Sequence, residues 1–483
     1  MTGADERARR SRHLTSGRLE KAGSPAATRT RAVAAGVTAM AALRLATERS
    51  RWTKADQPMS SHASARSAGR AMPASSVLYS RRALQLSAAA GGSLVDVAAC
   101  LIRNQGPDRK KALHATLARS VARFGPASVK LAQLLATRRD ILPAGLCDEL
   151  AAFWGDRVEG ISPLEHERAR RLLLDMAPGL TFSEVELIGR GSIAYVFHAT
   201  YPSGTERALK VLKPGVAEEI HADMAIARKL AALMQRLPPA RGIPVKEMAD
   251  HLCNAIEGQT DLSAEAESLG ALREALASLP HVRVPKPYLE ESTPAMLSME
   301  WLPPPAASST SDAAKAEEIM LLIYRMLFQD GLVHVDLHPG NLRVEGDTVV
   351  VYDAGFVMQI DRASQKSLAL FFLGLAVGDG EACARAVIDA CAAVPEKFVF
   401  DSFATAMQEI VEHHSGARSG QFNVVDLARE LFDVQRSFHI YPSPLFIFPL
   451  MSLVAVEGQV RNLHPDLDFQ ELSIPYVSMA MES

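Results

Sequence analysis

The chain has 483 residues, 48% of them hydrophobic and 22% charged, enough to bury the cores of two or three domains or of one large bilobal one. A formal net charge of −3 excludes the broad basic field that a nucleic-acid partner would need. Five cysteines stand far apart with no C-x-x-C pair, which excludes a disulfide framework or a cysteine zinc site and reads as free thiols of a reducing compartment.

Residues 1–75 are rich in Arg, Ala, Ser and Thr and poor in aromatics, so they cannot bury much apolar surface and read as disordered. A targeting segment has the same composition and would make the protein mitochondrial, although Asp5, Glu6 and Glu20 are out of place in one. Without it, the expected location is cytoplasmic.

Residues 76–180 read as a helical extension. Apolar residues recur at helical spacing through Leu94, Val95, Ala98, Leu101 and Ile102, then Leu113, Leu117, Val121 and Phe124. Pro126 opens a further helix with a polar stripe of Lys130, Gln133 and Thr137, a pattern that is normally just a solvated face. No strictly apolar run reaches the length of a membrane span; the nearest are Ala32–Leu43 and the Pro-broken Pro442–Val456. The expectation is therefore no spanning segment, with peripheral membrane contact left open.

Residues 181–305 read as a nucleotide-binding lobe with a helical insertion. A strand at Val185–Ile188 leads into Gly189-Arg190-Gly191-Ser192-Ile193-Ala194-Tyr195-Val196, close to the phosphate-covering loop G-x-G-x-x-G-x-V, with Ala194 at the third glycine. Glycines there let backbone N–H groups approach phosphates without a side chain in the way. Fourteen residues beyond Val196, Ala208-Leu209-Lys210 matches the strand whose lysine pairs the α- and β-phosphates. That lysine needs a carboxylate on a facing helix. After two intervening helices (Val216–Met234 and Val245–Ile256), Glu265 is the choice, with solvent-facing acids as the alternative. The run Met296–Leu302, with Glu300 and Leu302 at its end, is placed at the hinge, where backbone groups would meet an adenine edge.

Residues 306–475 read as a helical second lobe. It opens with HVDLHPGN, a hairpin and YDAGF. His334, Asp336, Leu337 and Asn341 fit the catalytic loop H-R-D-L-x-x-x-N, and Asp353-Ala354-Gly355 fits D-F-G with Ala for Phe. Asp336 would orient or deprotonate the attacking hydroxyl or water, and Asn341 and Asp353 would hold Mg²⁺ against the phosphates. No activation segment A-P-E follows; the rest is helical in pattern through Leu445–Val460. The fold class is α+β: a protein-kinase-like bilobal fold with a helical N-terminal extension and a helix-rich C-lobe.

Taken together, the pieces resemble the UbiB/AarF (ADCK-like) family of atypical kinases over roughly Leu117 to Pro465. The most specific part lies outside the generic kinase motifs. Lys130-Leu131-Ala132-Gln133 with Leu135 to Pro143 looks like the family's K-x-G-Q signature, and Asp261 and Glu265 fit its E-x-D…E-A segment. The resemblance implies ATP and Mg²⁺ as cofactors, ATP hydrolysis over protein phosphorylation, and a role in isoprenoid quinone synthesis or lipid homeostasis at membranes. A lipid or quinone-precursor ligand and quinone-biosynthesis proteins are the partners it implies. It also moves Lys130 and Gln133 from a solvated stripe to the site. Three departures stand out: Ala132 for the signature glycine, Gln259 for the first Glu of E-x-D, and Gly189 and Gly191 where members carry an alanine-rich loop.

Overall fold

The computed structural model describes residues 76–104, 108–136, 144–151, 162–236, 245–303, 311–391, 394–414 and 423–482. Residues 1–75 and the signature residues Thr137 to Pro143 lie outside them.

The extension is a cluster of helices: α1 (Ser76–Arg103), α2 (Asp108–Val121), α3 (Pro126–Ala136) and α4 (Ala144–Ala151). A further helix, α5 (Pro163–Met176), starts at Ser162, whose hydroxyl accepts the Glu165 N–H at 3.2 Å, with Pro163 at the first position. The first lobe is an antiparallel sheet of β1 (Glu184–Arg190), β2 (Ala194–Thr200), β3 (Glu206–Leu212) and β5 (Met296–Glu300), in that order. Period-two alternation gives the sheet two buried faces. Leu187, Phe197, Leu209 and Val211 pack with Ala169 and Leu173 of α5 on the outer face, while Ala194, Ala208, Leu297 and Met299 join the main core on the other. That inner side carries the helices α6 (Val216–Met234), α7 (Val245–Gly258) and α8 (Leu262–Ala275) between β3 and β5.

Between α8 and β5, β4 (Val282–Arg283) is only two residues long, because Pro285 and Pro287 just beyond it lack the N–H that a ladder needs. It pairs in parallel with the second lobe's hairpin and so ties the two lobes together. That lobe contains α9 (Asp312–Arg325), a π-helical turn Met326–Asp330, β6 (Leu332–His334), the hairpin β7 (Leu342–Glu345) and β8 (Thr348–Val351), and β9 (Val357–Gln359). It is completed by α10 (Arg362–Val377), α11 (Gly380–Asp389), α12 (Phe400–His414), α13 (Val424–Ser437), α14 (Pro444–Leu463) and α15 (Phe469–Glu482). The last helix runs beyond the expected end of the lobe at 475; Pro475 inside it interrupts the sequence pattern, but packing of Phe469 and Val477 holds it.

All five cysteines are free, and four of them are buried. Arg81–Arg103 and Pro444–Leu463 are both long and apolar enough to cross a bilayer; a strict-run criterion misses them because isolated polar residues interrupt each.

The extension is pinned to the first lobe by one buried ion pair. Arg82 of α1 grips Asp223 of α6 with both arms, at 2.6 and 2.8 Å, and donates to the Phe124 carbonyl at 2.6 Å. Burial works against the guanidinium's charge, but its hydrogen bond to Asp223 is stronger and raises its pKa. The chain can pass beneath that guanidinium because Gly125 has φ +96° and no Cβ.

Candidate active site

The β3 register alternates, so Leu209 and Val211 fill the outer core while Lys210 points into the cleft. Its ammonium meets both carboxylate oxygens of Glu265 at 2.7 and 2.9 Å and Asp353 Oδ2 at 2.6 Å. Glu265 stands in the first turn of α8, which is capped by Asp261: the Asp261 side chain accepts the N–H groups of Ser263 and Ala264. Asp261 is thus a helix cap, and Glu265 alone of the pair reaches the lysine.

The three groups are strongly coupled. Burial opposes the charge on Lys210, but Asp353 and Glu265 outweigh it and hold the ammonium above its ordinary pKa. For Asp353 burial is again the opposing effect, overcome by Lys210 and then Lys130, so its carboxyl stays well below the usual range. Glu265 goes the other way: burial and the neighbouring Asp353 push it up. Lys130, half-buried on α3, places a second positive charge near these carboxylates, lowering both of them. Gln133 lies on the same helix, but its side chain is outside the described residues.

The catalytic-loop segment is held by its own histidines. The Asp336 N–H donates to His334 Nδ1 at 3.1 Å, so the proton of that imidazole sits on Nε2, which donates to the Asp353 carbonyl at 2.7 Å. Burial lowers the pKa of His334, keeping the ring in this neutral form. Gly340 N–H donates to His338 Nδ1 at 2.9 Å, and Asn341 Nδ2 donates to the Asp336 carbonyl at 2.9 Å, which leaves Asn341 Oδ1 as its acceptor. The hairpin returns the chain so that Tyr352 N–H donates to the Asn341 carbonyl at 2.8 Å, immediately before Asp353. At Gly355 the N–H donates to Asp353 Oδ1 at 2.8 Å, and a Cβ there would sit only 3.1 Å from that oxygen. Asp336 is buried.

The loop between β1 and β2 closes on itself, with Gly191 N–H donating to the Ala194 carbonyl at 2.9 Å and Lys213 Nζ to the Gly191 carbonyl at 2.5 Å. A register shift at Leu187/Gly189 bends the strand there. Ser192 Oγ is buried without a hydrogen-bond partner. A hydroxyl in that state on a backbone loop fits a phosphate, and the amide oxygen of Asn341 with Asp353 fits a hard cation that takes oxygen ligands.

Of the remaining expected residues, Val196 pairs with Lys210 across the strands and Ala208 with Met299, both along the wall of the cleft. Glu300 is not a free cleft carboxylate: it is bridged by Arg273 at 3.3 Å and Arg283 at 3.4 Å and accepts the Lys286 N–H at 3.1 Å. Leu302 is buried. One supporting residue escaped the sequence reading. Ser452, wholly buried on α14, donates to the His334 carbonyl at 2.8 Å; a lone hydroxyl in an apolar helix was the available signal.

This fold and cleft define an atypical kinase-like protein: residues 158–387 match the model of the ABC1 atypical kinase-like domain. The chain is similar to the UbiB/AarF family of atypical kinases, and that match spans just under half of its length. It is 26% identical over 393 residues to the "Probable protein kinase UbiB" of Histophilus somni (strain 129Pt), an alignment covering 76% of this chain and 71% of that one. Among solved structures it is similar to Rv3197 of Mycobacterium tuberculosis, solved with erythromycin, at 19% identity and TM-score 0.47, covering 71% and 89% of the two chains. A weaker similarity, TM-score 0.24 at 13% identity over 73% and 96%, is to the Rio2 kinase of Chaetomium thermophilum.

Proposed function

We propose that this chain is a UbiB-like atypical kinase or ATPase that binds Mg-ATP in the cleft and serves isoprenoid quinone (ubiquinone) synthesis or lipid homeostasis. The carrying observation is Lys210 held between Glu265 and Asp353 within 3 Å of each. The loop Gly189 to Ala194 covers the phosphates, with Ser192 as a hydroxyl donor, and Lys210 moves from Asp353 onto the α- and β-phosphates while Glu265 keeps it oriented. Asn341 and Asp353 would hold Mg²⁺, which would supply positive charge against the transferring phosphoryl group. Val196 and Ala208 line the base. The Glu300 N–H is already taken by the Lys286 carbonyl, so the hinge contact to adenine falls to the Glu300 carbonyl and the backbone of Leu302. Asp336 orients or deprotonates the attacking hydroxyl or water, and Lys130 adds positive charge near Glu265 and Asp353.

The test is ATP turnover by the purified chain with Mg²⁺, with and without phospholipid and a phenolic quinone-precursor mimic, beside Asp353→Asn. Turnover lost at least about 100-fold in the variant supports the reading, since removing a preorganised charge from a transition state costs that much. Tight Mg-ATP binding without turnover in any condition would sink it and leave a nucleotide-gated scaffold. Gly189 and Gly191 favour a second reading, phosphotransfer to a protein or small-molecule hydroxyl. Product analysis with γ-labelled ATP separates it from hydrolysis.

A membrane-peripheral, cytoplasmic location completes the proposal. On α1 the residues Leu84, Ala88, Gly91, Leu94, Val95, Ala98 and Ile102 are exposed, and at helical spacing they form one apolar stripe. Arg103, Arg109, Lys110 and Lys111 lie exposed beside its end. Arg82 and Asp96 inside the helix are paired with Asp223 and Arg123 of neighbouring elements and Arg81 is exposed, which supports a helix lying in an anionic surface rather than spanning it. Co-sedimentation with vesicles containing phosphatidylglycerol, lost with Val95→Asp/Ile102→Asp, is the expected outcome; co-sedimentation unchanged by those substitutions refutes it.

A further inference from the structure

Far along the chain from the nucleotide cleft residues, α12 ends in two consecutive histidines that face one carboxylate of α13. Glu430 lies 3.1 Å from His413 Nδ1 and 3.3 Å from His414 Nε2. One nitrogen from each ring and a carboxylate oxygen all lie within 4.8 Å of one another. Around a tetrahedral ion with bonds of about 2.0–2.2 Å, neighbouring ligand atoms stand roughly 3.3–3.5 Å apart, so two of the three gaps already suit one. The third, between the rings, closes by rotation of His413, whose side chain is 68% exposed.

The electrostatics point the same way. His414 is nearly covered, which holds its ring in place against α13. Glu430 bonds to these two rings and to no lysine or arginine among the described residues, and Asp426 adds a second negative charge near His414. Two imidazole rings and a carboxylate that no lysine or arginine among the described residues neutralises form a set that a divalent cation would complete. Two imidazole nitrogens with one carboxylate suit Zn²⁺, Ni²⁺ or Cu²⁺ and not Mg²⁺, whose preference is oxygen.

We infer that His413, His414 and Glu430 form a transition-metal site of the zinc class that clasps the end of α12 to α13, with one position open to water. The inference is independent of the nucleotide reading, because it uses none of the cleft residues.

The test is calorimetric titration of the full chain with Zn²⁺ in the absence of nucleotide, followed by Co²⁺ as a spectroscopic probe of tetrahedral coordination. One Zn²⁺ binding in the micromolar range is expected, weakened at least tenfold by His413→Ala and by Glu430→Gln. Because His413 and Glu430 are at the surface, those variants fold, and circular dichroism checks it. Asp353→Asn should leave the affinity unchanged, which separates this site from the cleft. Affinity unchanged in His413→Ala and Glu430→Gln, or no binding at all, overturns the proposal and makes the trio an ion pair only.

Discussion

Two helices of this chain, α1 and α14, share the length and apolar composition of a membrane span and have opposite fates. Half of the apolar window of Pro444–Leu463 is buried, against 6% for Arg81–Arg103. α14 runs through the second lobe, where Phe446, Leu450, Leu453 and Val456 meet the main core and Ser452 supports the loop that carries Asp336. α1 turns Arg82 and Cys100 inward and leaves Leu84, Leu94, Val95 and Ile102 bare. Composition sets what a helix can bury; only the neighbours decide whether it does.

The sharpest way to break this comparison is to delete the same side-chain atoms from each helix. Leu453→Ala opens a cavity in a closed core, and chemical denaturation should show a loss of about 2–5 kcal/mol. Next in size is Ser452→Ala. It strips the buried His334 carbonyl of its donor, which costs about 1–3 kcal/mol, and turnover should fall along with stability because the same carbonyl positions the loop at Asp336. An apolar helix that served only as filler would lose stability without the accompanying loss of activity.

The histidine supported by Ser452 gives a pH test. The folded pKa of His334 is below its ordinary value of about 6.5, so below that pH the unfolded chain takes a proton that the fold refuses. The stability this group provides is full above about pH 6.5 and is lost as pH falls toward the folded value. In a melting-temperature series against pH, His334→Gln should flatten part of the acid slope; an unchanged slope shows that the ring is not the titrating group. The smallest effect belongs to α1. Leu94→Ala should change stability by no more than about 0.5 kcal/mol, since an exposed side chain leaves no cavity. A loss of the size seen at Leu453 would mean that the stripe is covered in solution.

Much of the site could be read from the order of its motifs, because Lys210, Asp336, Asn341 and Asp353 lie on strands and loops whose register follows from alternation and turn chemistry. Glu265 was harder, since two helices intervene after the lysine and nothing local sets it against a partner. What could not be read was context. Nothing local distinguishes the exposed Leu94 from the buried Leu453, or tells that the Glu300 carboxylate is taken by two arginines. In Val282–Tyr288 the β-branched residues favour a strand, but the prolines leave only two residues of one, allied to the other lobe.

The Arg82–Asp223 joint has a consequence for how far the chain can be trimmed. A protease cut ahead of Arg82 leaves the guanidinium seated over Gly125 and the extension docked. A cut just beyond it strands Asp223, 7% exposed, as an anion without its cation, a situation worth roughly 3–5 kcal/mol of destabilisation. Limited digestion should therefore yield a sharp N-terminal boundary set by a single side chain, with fragments that retain Arg82 persisting and shorter ones unfolding from the helix that bears Asp223.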